Sequence, residues 1–161
     1  MSLNKTEREL AQANIAENRK AFHDYHILDT YEAGVALLGT EVKAIREGRV
    51  NLRDSYASVN RGEVFLHNVN ISPYSHRGYV DHEPLRARKL LLHRNEILKL
   101  VGKTQEKGMT LVPLRLYFKN GRVKVALGLA KGKKDYDKRE TIKKRETDRE
   151  TRAAIKTRRV Q

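Results

Sequence analysis

Apolar and polar positions alternate most regularly over residues 112–129. Val112, Leu114, Leu116 and Phe118 share one face. Asn120-Gly121 interrupts, and Val123, Val125, Leu127 and Leu129 then resume the alternation, with Arg122 and Lys124 on the opposite face. Period two predicts strands, and Asn-Gly tolerates the paired positive φ values of a tight turn, so this stretch predicts a β-hairpin. A second hairpin is predicted from Tyr56–Asn60 to Glu63–Asn68 through Arg61-Gly62. An earlier strand covers about His26–Leu38, where Gly34 predicts a bulge or bend. Thr40 can cap a short helix over Glu41–Glu47 that stops at Gly48, with Val42 and Ile45 inward and Lys43 and Arg46 outward. Asn95 can cap another over Glu96–Val101, with Ile97, Leu98 and Val101 inward. Residues 72–88 read as a long loop bearing Pro73, Tyr74, His76, Arg77, Tyr79, His82 and Pro84. Many short strands with few helices predict a mainly β fold, a small closed or nearly closed antiparallel barrel with short flanking helices.

The apolar residues also divide the chain. Of 40 Leu, Ile, Val and Phe, only Ile142, Ile155 and Val160 lie within residues 131–161. The body can therefore offset the entropy of ordering a core, and the tail cannot. The expected organisation is a poorly defined segment at 1–17, a barrel at 18–130 and a basic tail at 131–161. Charge follows the same division. The 161 residues carry 34 Lys+Arg against 20 Asp+Glu, a net +14, and the tail alone holds 13 against 6, so half of the excess lies there. Such a charge predicts a polyanionic partner, foremost a nucleic acid. In the tail, Asp135–Arg139, Glu140–Lys144 and Asp148–Arg152 are acid-before-base pairs at i,i+4, each supporting a helix by about 0.2–0.5 kcal/mol. With no apolar stripe, the tail is expected to be disordered when free and to become helical on an anionic surface.

Candidate chemistry narrows the picture mainly by exclusion. The chain has no Cys, which removes disulfides, thiol nucleophiles and Cys-type zinc sites. Gly102-Lys103-Thr104 imitates the end of a phosphate-binding loop, but the upstream glycine of that motif falls at Ile97 and the triplet follows a helix. His23 and His26 stand three apart on the approach to a strand, where they face opposite sides, so no metal site is expected. No paired acids or nucleophile context points to an enzyme, and no cofactor is implied. No run approaches 18 apolar residues, and the start of the chain has no apolar signal core, so the expectation is a cytoplasmic protein without a membrane partner. An RNA-binding adaptor leads. A ribosomal protein embedded in its particle and a metal-dependent RNA nuclease stand as alternatives.

Six stretches in unbroken order carry a family resemblance. They are Asn18-Arg19-Lys20-Ala21-Phe22-His23-Asp24-Tyr25; Tyr31-Glu32-Ala33-Gly34-Val35-Ala36-Leu37; Gly39-Thr40-Glu41-Val42-Lys43-Ala44-Ile45-Arg46-Glu47-Gly48; Asp54-Ser55-Tyr56; Arg88-Lys89-Leu90-Leu91-Leu92-His93; and Gly128-Leu129-Ala130-Lys131-Gly132-Lys133-Lys134-Asp135-Tyr136-Asp137-Lys138-Arg139. Together they resemble the SsrA-binding (small protein B) family of bacterial trans-translation. The resemblance implies an OB-type barrel and a non-enzymatic adaptor, a monomer acting with one RNA. It delivers transfer-messenger RNA to stalled ribosomes, binding its tRNA-like domain while the tail enters the empty mRNA channel. It implies RNA-binding roles for Glu32, Leu91 and His93, where some relatives carry Asn at the last position. Lys43, Arg46, Arg88 and Lys89 join them on charge and placement. By the same resemblance His23 faces the ribosomal decoding centre, and Lys131, Lys133, Lys134, Tyr136, Asp137, Lys138 and Arg139 act on the ribosome.

Overall fold

The computed structural model describes residues 14–73 and 82–160. Its elements run β1 (Asn14–Glu17), α1 (Arg19–Asp24), β2 (Tyr25–Val35), α2 (Gly39–Arg46), β3 (Val50–Asn51), β4 (Tyr56–Asn60), β5 (Glu63–His67), β6 (Asn70–Ile71), β7 (Arg88–Leu91), α3 (Arg94–Thr104), β8 (Met109–Lys119), β9 (Arg122–Gly132) and α4 (Asp135–Val160). Pairing proceeds β8–β4–β5–β7–β2–β9 and returns to β8, so six antiparallel strands close on themselves. Closure removes the open edges that a flat sheet would expose. β1 adds to β8 at Arg115–Tyr117, beyond the point where β4 meets Leu111, and β3 pairs with β6 outside the ring.

Both predicted hairpins form. Asn120 and Gly121 have φ of 52° and 74°, and Arg61 and Gly62 have 51° and 76°, the paired positive values of a type I′ turn. Gly34 does not mark a bulge. The irregularity in β2 lies between Ile27 and Asp29, whereas Gly34 pairs with Lys124 of β9 and Leu91 of β7. A Cβ on Gly34 would stand 3.2 Å from the Leu91 Cβ, so close approach of the strands is what calls for glycine.

The barrel interior is filled by Ala33, Val64, Leu66, Leu90, Leu111, Val125 and Leu127, with Ala44 and Ile45 from α2 and Leu100 from α3. A second layer lies outside, where Ala21 of α1 packs with Val112, Leu114, Tyr117, Ala126 and Ala130. The β8–β9 hairpin is thus buried on two faces over part of its length, where its alternation suggested one.

Helix starts and faces differ from expectation. α2 begins two residues earlier than predicted, and Glu41 Oε1 accepts from the Leu38 N–H at 2.8 Å. Thr40 instead meets His82 Nδ1 at 2.9 Å. α3 starts after His93, whose N–H donates to Glu96 Oε1 at 3.2 Å, and Gly102 lies inside it. Leu98 points outward and Leu100 inward, because packing on the barrel fixes the rotation of the helix. The tail is one long helix here, although its composition predicted disorder in the free chain. A helix satisfies its backbone internally, and acid-before-base pairs at i,i+4 such as Glu140–Lys144 and Asp148–Arg152 support it without needing a core.

Candidate nucleic-acid interface

Strand alternation and register assemble a surface from residues far apart in sequence. On the outside of the barrel, Leu91, Gly34, Lys124 and Tyr117 form one row across β7, β2, β9 and β8. Glu32, Ala126 and Arg115 form the next row, and Lys119 pairs with Arg122 beyond the first. Leu91 is 54% exposed and lies with Gly34, Val35, Leu37, Val42, Arg122 and Lys124 along an apolar groove. Beside it, Glu32, Lys119, Asn120, Arg122 and Lys124 line a polar hollow. Arg122 and Lys124 belong to both. The surface therefore offers an apolar contact, several cations and a single carboxylate, the mixture that RNA bases and phosphates call for.

Glu32 is held in place. The Tyr117 hydroxyl donates to its Oε2 at 2.6 Å, and Lys119 Nζ reaches both oxygens at 3.1 and 3.2 Å. The Tyr117 hydrogen bond, helped by Lys119 and Lys124 against a smaller effect of burial, holds this carboxyl below the usual carboxylate range. Burial and the same bond push the Tyr117 phenol above its ordinary value.

The other expected RNA contacts separate on inspection. Lys43 and Arg46 lie on the exposed side of α2, the helix whose Val42 lines the groove. Lys89 shares the outer face of β7 with Leu91 and pairs with Glu63 at 3.0 Å. His93 is exposed at the N-cap of α3. Arg88 requires a correction. Its side chain is 1% exposed, and its Nε donates to Glu41 Oε2. Its Nη1 donates to the Val69 carbonyl at 2.8 Å and its Nη2 to that of Pro84 at 3.1 Å. Arg86 Nη2 meets the other oxygen of Glu41 at 2.5 Å. Arg88 is a buried structural cation, because it lies in phase with the inward Leu90 while Lys89 and Leu91 face out. The sequence reading also omitted Lys119, Arg122, Lys124 and Tyr117 from the site. The hairpin placed Arg122 and Lys124 on its outer face, but only the β2–β9 register sets them beside Glu32.

A second grouping occupies the opposite end of the β2–β9 ladder. His26 pairs with Lys131 and Tyr25 with Gly132. The Lys133 N–H donates to the Asp24 carbonyl at 2.9 Å, and its Nζ to the Phe22 carbonyl at 3.2 Å. His23 Nδ1 lies 2.8 Å from Asp24 Oδ1. The root of the tail is therefore tied to α1 beside His23. Lys134 and Arg139 are exposed. Tyr136, Asp137 and Lys138 fall in the first turn of α4, and their side chains lie outside the described residues. At ~3.3 Å per residue, Tyr25 and Gly34 stand roughly 30 Å apart along β2, which separates the two groupings. Of the loop residues noted in sequence, Tyr74, His76, Arg77 and Tyr79 lie outside the described residues. His82 is buried, with Nε2 2.7 Å from the Ile71 carbonyl. Among the described residues, no cluster of three His, Asp or Glu side chains could hold a metal ion, and no helix is long and apolar enough to cross a membrane.

Comparison with known proteins gives the family. The family described as SmpB protein matches residues 15–157. The SsrA-binding protein of Carboxydothermus hydrogenoformans is 62% identical over 144 residues, covering 89% of this chain and 97% of its own. That of Bacillus subtilis is 58% identical over 142 residues, covering 88% and 91%. A chain in the solved structure "tmRNA-SmpB: a journey to the center of the bacterial ribosome" superposes with a TM-score of 0.65 at 53% identity, covering 76% of this chain and 87% of that one.

Proposed function

The chain belongs to the SmpB protein family, and on that premise we propose that it binds the tRNA-like domain of transfer-messenger RNA and carries it to stalled ribosomes for trans-translation. The observation that carries this reading is the reach of the family match, which spans the barrel and most of the tail helix. The surface of Glu32, Leu91, Lys119, Arg122 and Lys124 holds the RNA, with His93, Lys43, Arg46 and Lys89 at its margins. His23 and the tail from Lys131 to Arg139 engage the decoding centre and the vacant mRNA channel. A basic helix with almost no apolar residues gains little from its own barrel and much from an RNA-walled channel. A message filling that channel excludes it sterically, so the tail distinguishes stalled ribosomes from translating ones. The protein acts in the cytoplasm as an adaptor rather than an enzyme, one copy per RNA and without a cofactor.

Pull-down of the full chain from native bacterial lysate, with sequencing of the bound RNA, tests this directly. Transfer-messenger RNA should dominate at moderate salt. Recovery of bulk structured RNAs in proportion to their abundance would refute specific binding.

A further inference from the structure

Among the described residues, the two hollows of the RNA surface are lined by one acid among cations, Glu32, and it is held by Tyr117 and Lys119. A carboxylate beside Lys119, Arg122 and Lys124 cannot serve a phosphate, which it repels. It can only accept from a donor, a nucleobase N–H or a ribose hydroxyl. Acceptance is directional, so the aim of the carboxylate matters more than its charge.

The aim comes from Tyr117. This ring is 3% exposed and packs in the outer layer with Leu114 and Ala126. The Arg115 guanidinium lies over it, 4.5 Å from the ring centre, and Arg115 Nη1 donates to Asn14 Oδ1 at 2.9 Å. The ring is therefore confined by β1, β8 and β9. Its hydroxyl crosses β9 to reach Glu32 beside Ala126, the residue paired with Glu32, whose methyl leaves room for the bond. Tyr117 and Lys119 use both lone-pair positions of Oε2, while among the described residues Lys119 alone meets Oε1, which leaves that oxygen one further acceptor position.

We propose that Tyr117 is the positioning residue of the RNA surface, fixing the Glu32 carboxylate so that Oε1 accepts from a base or ribose donor of the bound RNA. The proposal rests on the reading that Glu32 contacts RNA. Tyr117 itself touches no RNA, and it acts by removing the rotational freedom that Glu32 would otherwise lose on binding. The charged groups facing this carboxyl are Lys119 and Arg115 on β8 and Lys124 and Arg122 on β9. His93 lies at the margin of the same surface and RNA bases take up protons in acid, so the contribution of Glu32 is read as the difference between the unaltered protein and Glu32→Gln.

The test is binding of full-length protein to a transcript of the tRNA-like domain, titrated from pH 8 to pH 4. Unaltered protein should keep its affinity until the pH falls below the ordinary carboxylate range near ~4.3. Tyr117→Phe keeps the ring and its stacking on Arg115. It should bind about tenfold more weakly at neutral pH, and its acid-induced loss should begin at higher pH, because the depressing hydrogen bond is gone. Glu32→Gln should be weakened at every pH with no acid limb from this site. If Tyr117→Phe matches the unaltered protein in affinity and in acid limb while Glu32→Gln is weakened, the positioning role is wrong. If Glu32→Gln binds normally, the underlying reading of the RNA contact is the one that falls. Carboxyl-carbon NMR titration of Glu32 in the unaltered protein gives a check independent of the variant's folding. Titration in the ordinary range would overturn the proposal. With 2′-deoxy substitutions in the RNA, a loss confined to single positions marks a ribose donor, and its absence marks a base donor.

Discussion

Arg88→Met asks whether this cation holds the fold or holds RNA. Methionine fills much of the same volume but removes every donor. Glu41 then loses one of its two guanidinium partners, and the Val69 and Pro84 carbonyls lose theirs. Removing one partner of a buried ion pair costs about 3–5 kcal/mol. Arg86 Nη2 still donates to Glu41 Oε1 at 2.5 Å, and the Leu38 N–H donates to the same oxygen at 2.8 Å, which favours the lower end, about 3 kcal/mol. For a chain of this length ~1 kcal/mol moves the melting temperature by roughly 2–4 °C, so a drop of about 6–12 °C is expected. Thermal and urea unfolding at pH 7 give the stability, and RNA titration at 25 °C gives the affinity of the folded fraction. Lys89→Met, which breaks an exposed pair with Glu63, is the control and should cost at most ~1 kcal/mol. An unchanged melting temperature with a large loss of RNA affinity in Arg88→Met would show that Arg88 faces the RNA and that its burial is wrong. Acid gives a second reading of the same network. Burial pushes the Glu41 carboxyl up, but hydrogen bonds from Arg86, the Leu38 N–H and Arg88 outweigh it and hold it below the usual carboxylate range. A depressed folded value means that Glu41 contributes stability above its unfolded value near ~4.3, and that the contribution is lost as pH falls through the folded value. Glu41→Gln should therefore be less stable at pH 7 and show a shallower acid limb. An acid limb identical to that of the unaltered protein would contradict the pairing.

Glu32→Ala and Leu91→Asn should each weaken binding to the tRNA-like domain about tenfold while leaving the melting curve nearly unchanged. Normal affinity in both would move the interface elsewhere. Chain ending at Lys134 should keep RNA binding and lose tagging of stalled peptides in a reconstituted translation system. Retained tagging would remove the tail from the mechanism. Ending before Lys131 should instead lower stability as well, because it deletes the His26–Lys131 and Tyr25–Gly132 pairs and the Lys133 tie to α1. Gly128→Ala should destabilise by about 1–3 kcal/mol in urea unfolding, since its Cβ would stand 3.0 Å from Leu114 Cδ1. A neutral result would mean that the outer layer is loosely packed.

Local chemistry determined the parts that local chemistry can determine. Two turns with paired positive φ, the alternation around them and the split of charge between body and tail are properties of neighbouring residues, and each was legible in the chain. The order of the six stretches was enough to give the family. Tertiary structure decided what depends on register and rotation. Arg88 and Lys89 are adjacent and alike in charge, yet the pleat sends one inward to Glu41 and the other out to Glu63. Leu98 and Leu100 look equally fit for a core, and only the docking of α3 chooses Leu100. The Tyr117–Glu32 bond spans 85 positions and exists because β9 lies between their strands with an alanine at the crossing. No spacing rule along the chain encodes such a contact, because it is set by barrel closure, where a shift of one residue would turn both side chains to the other face.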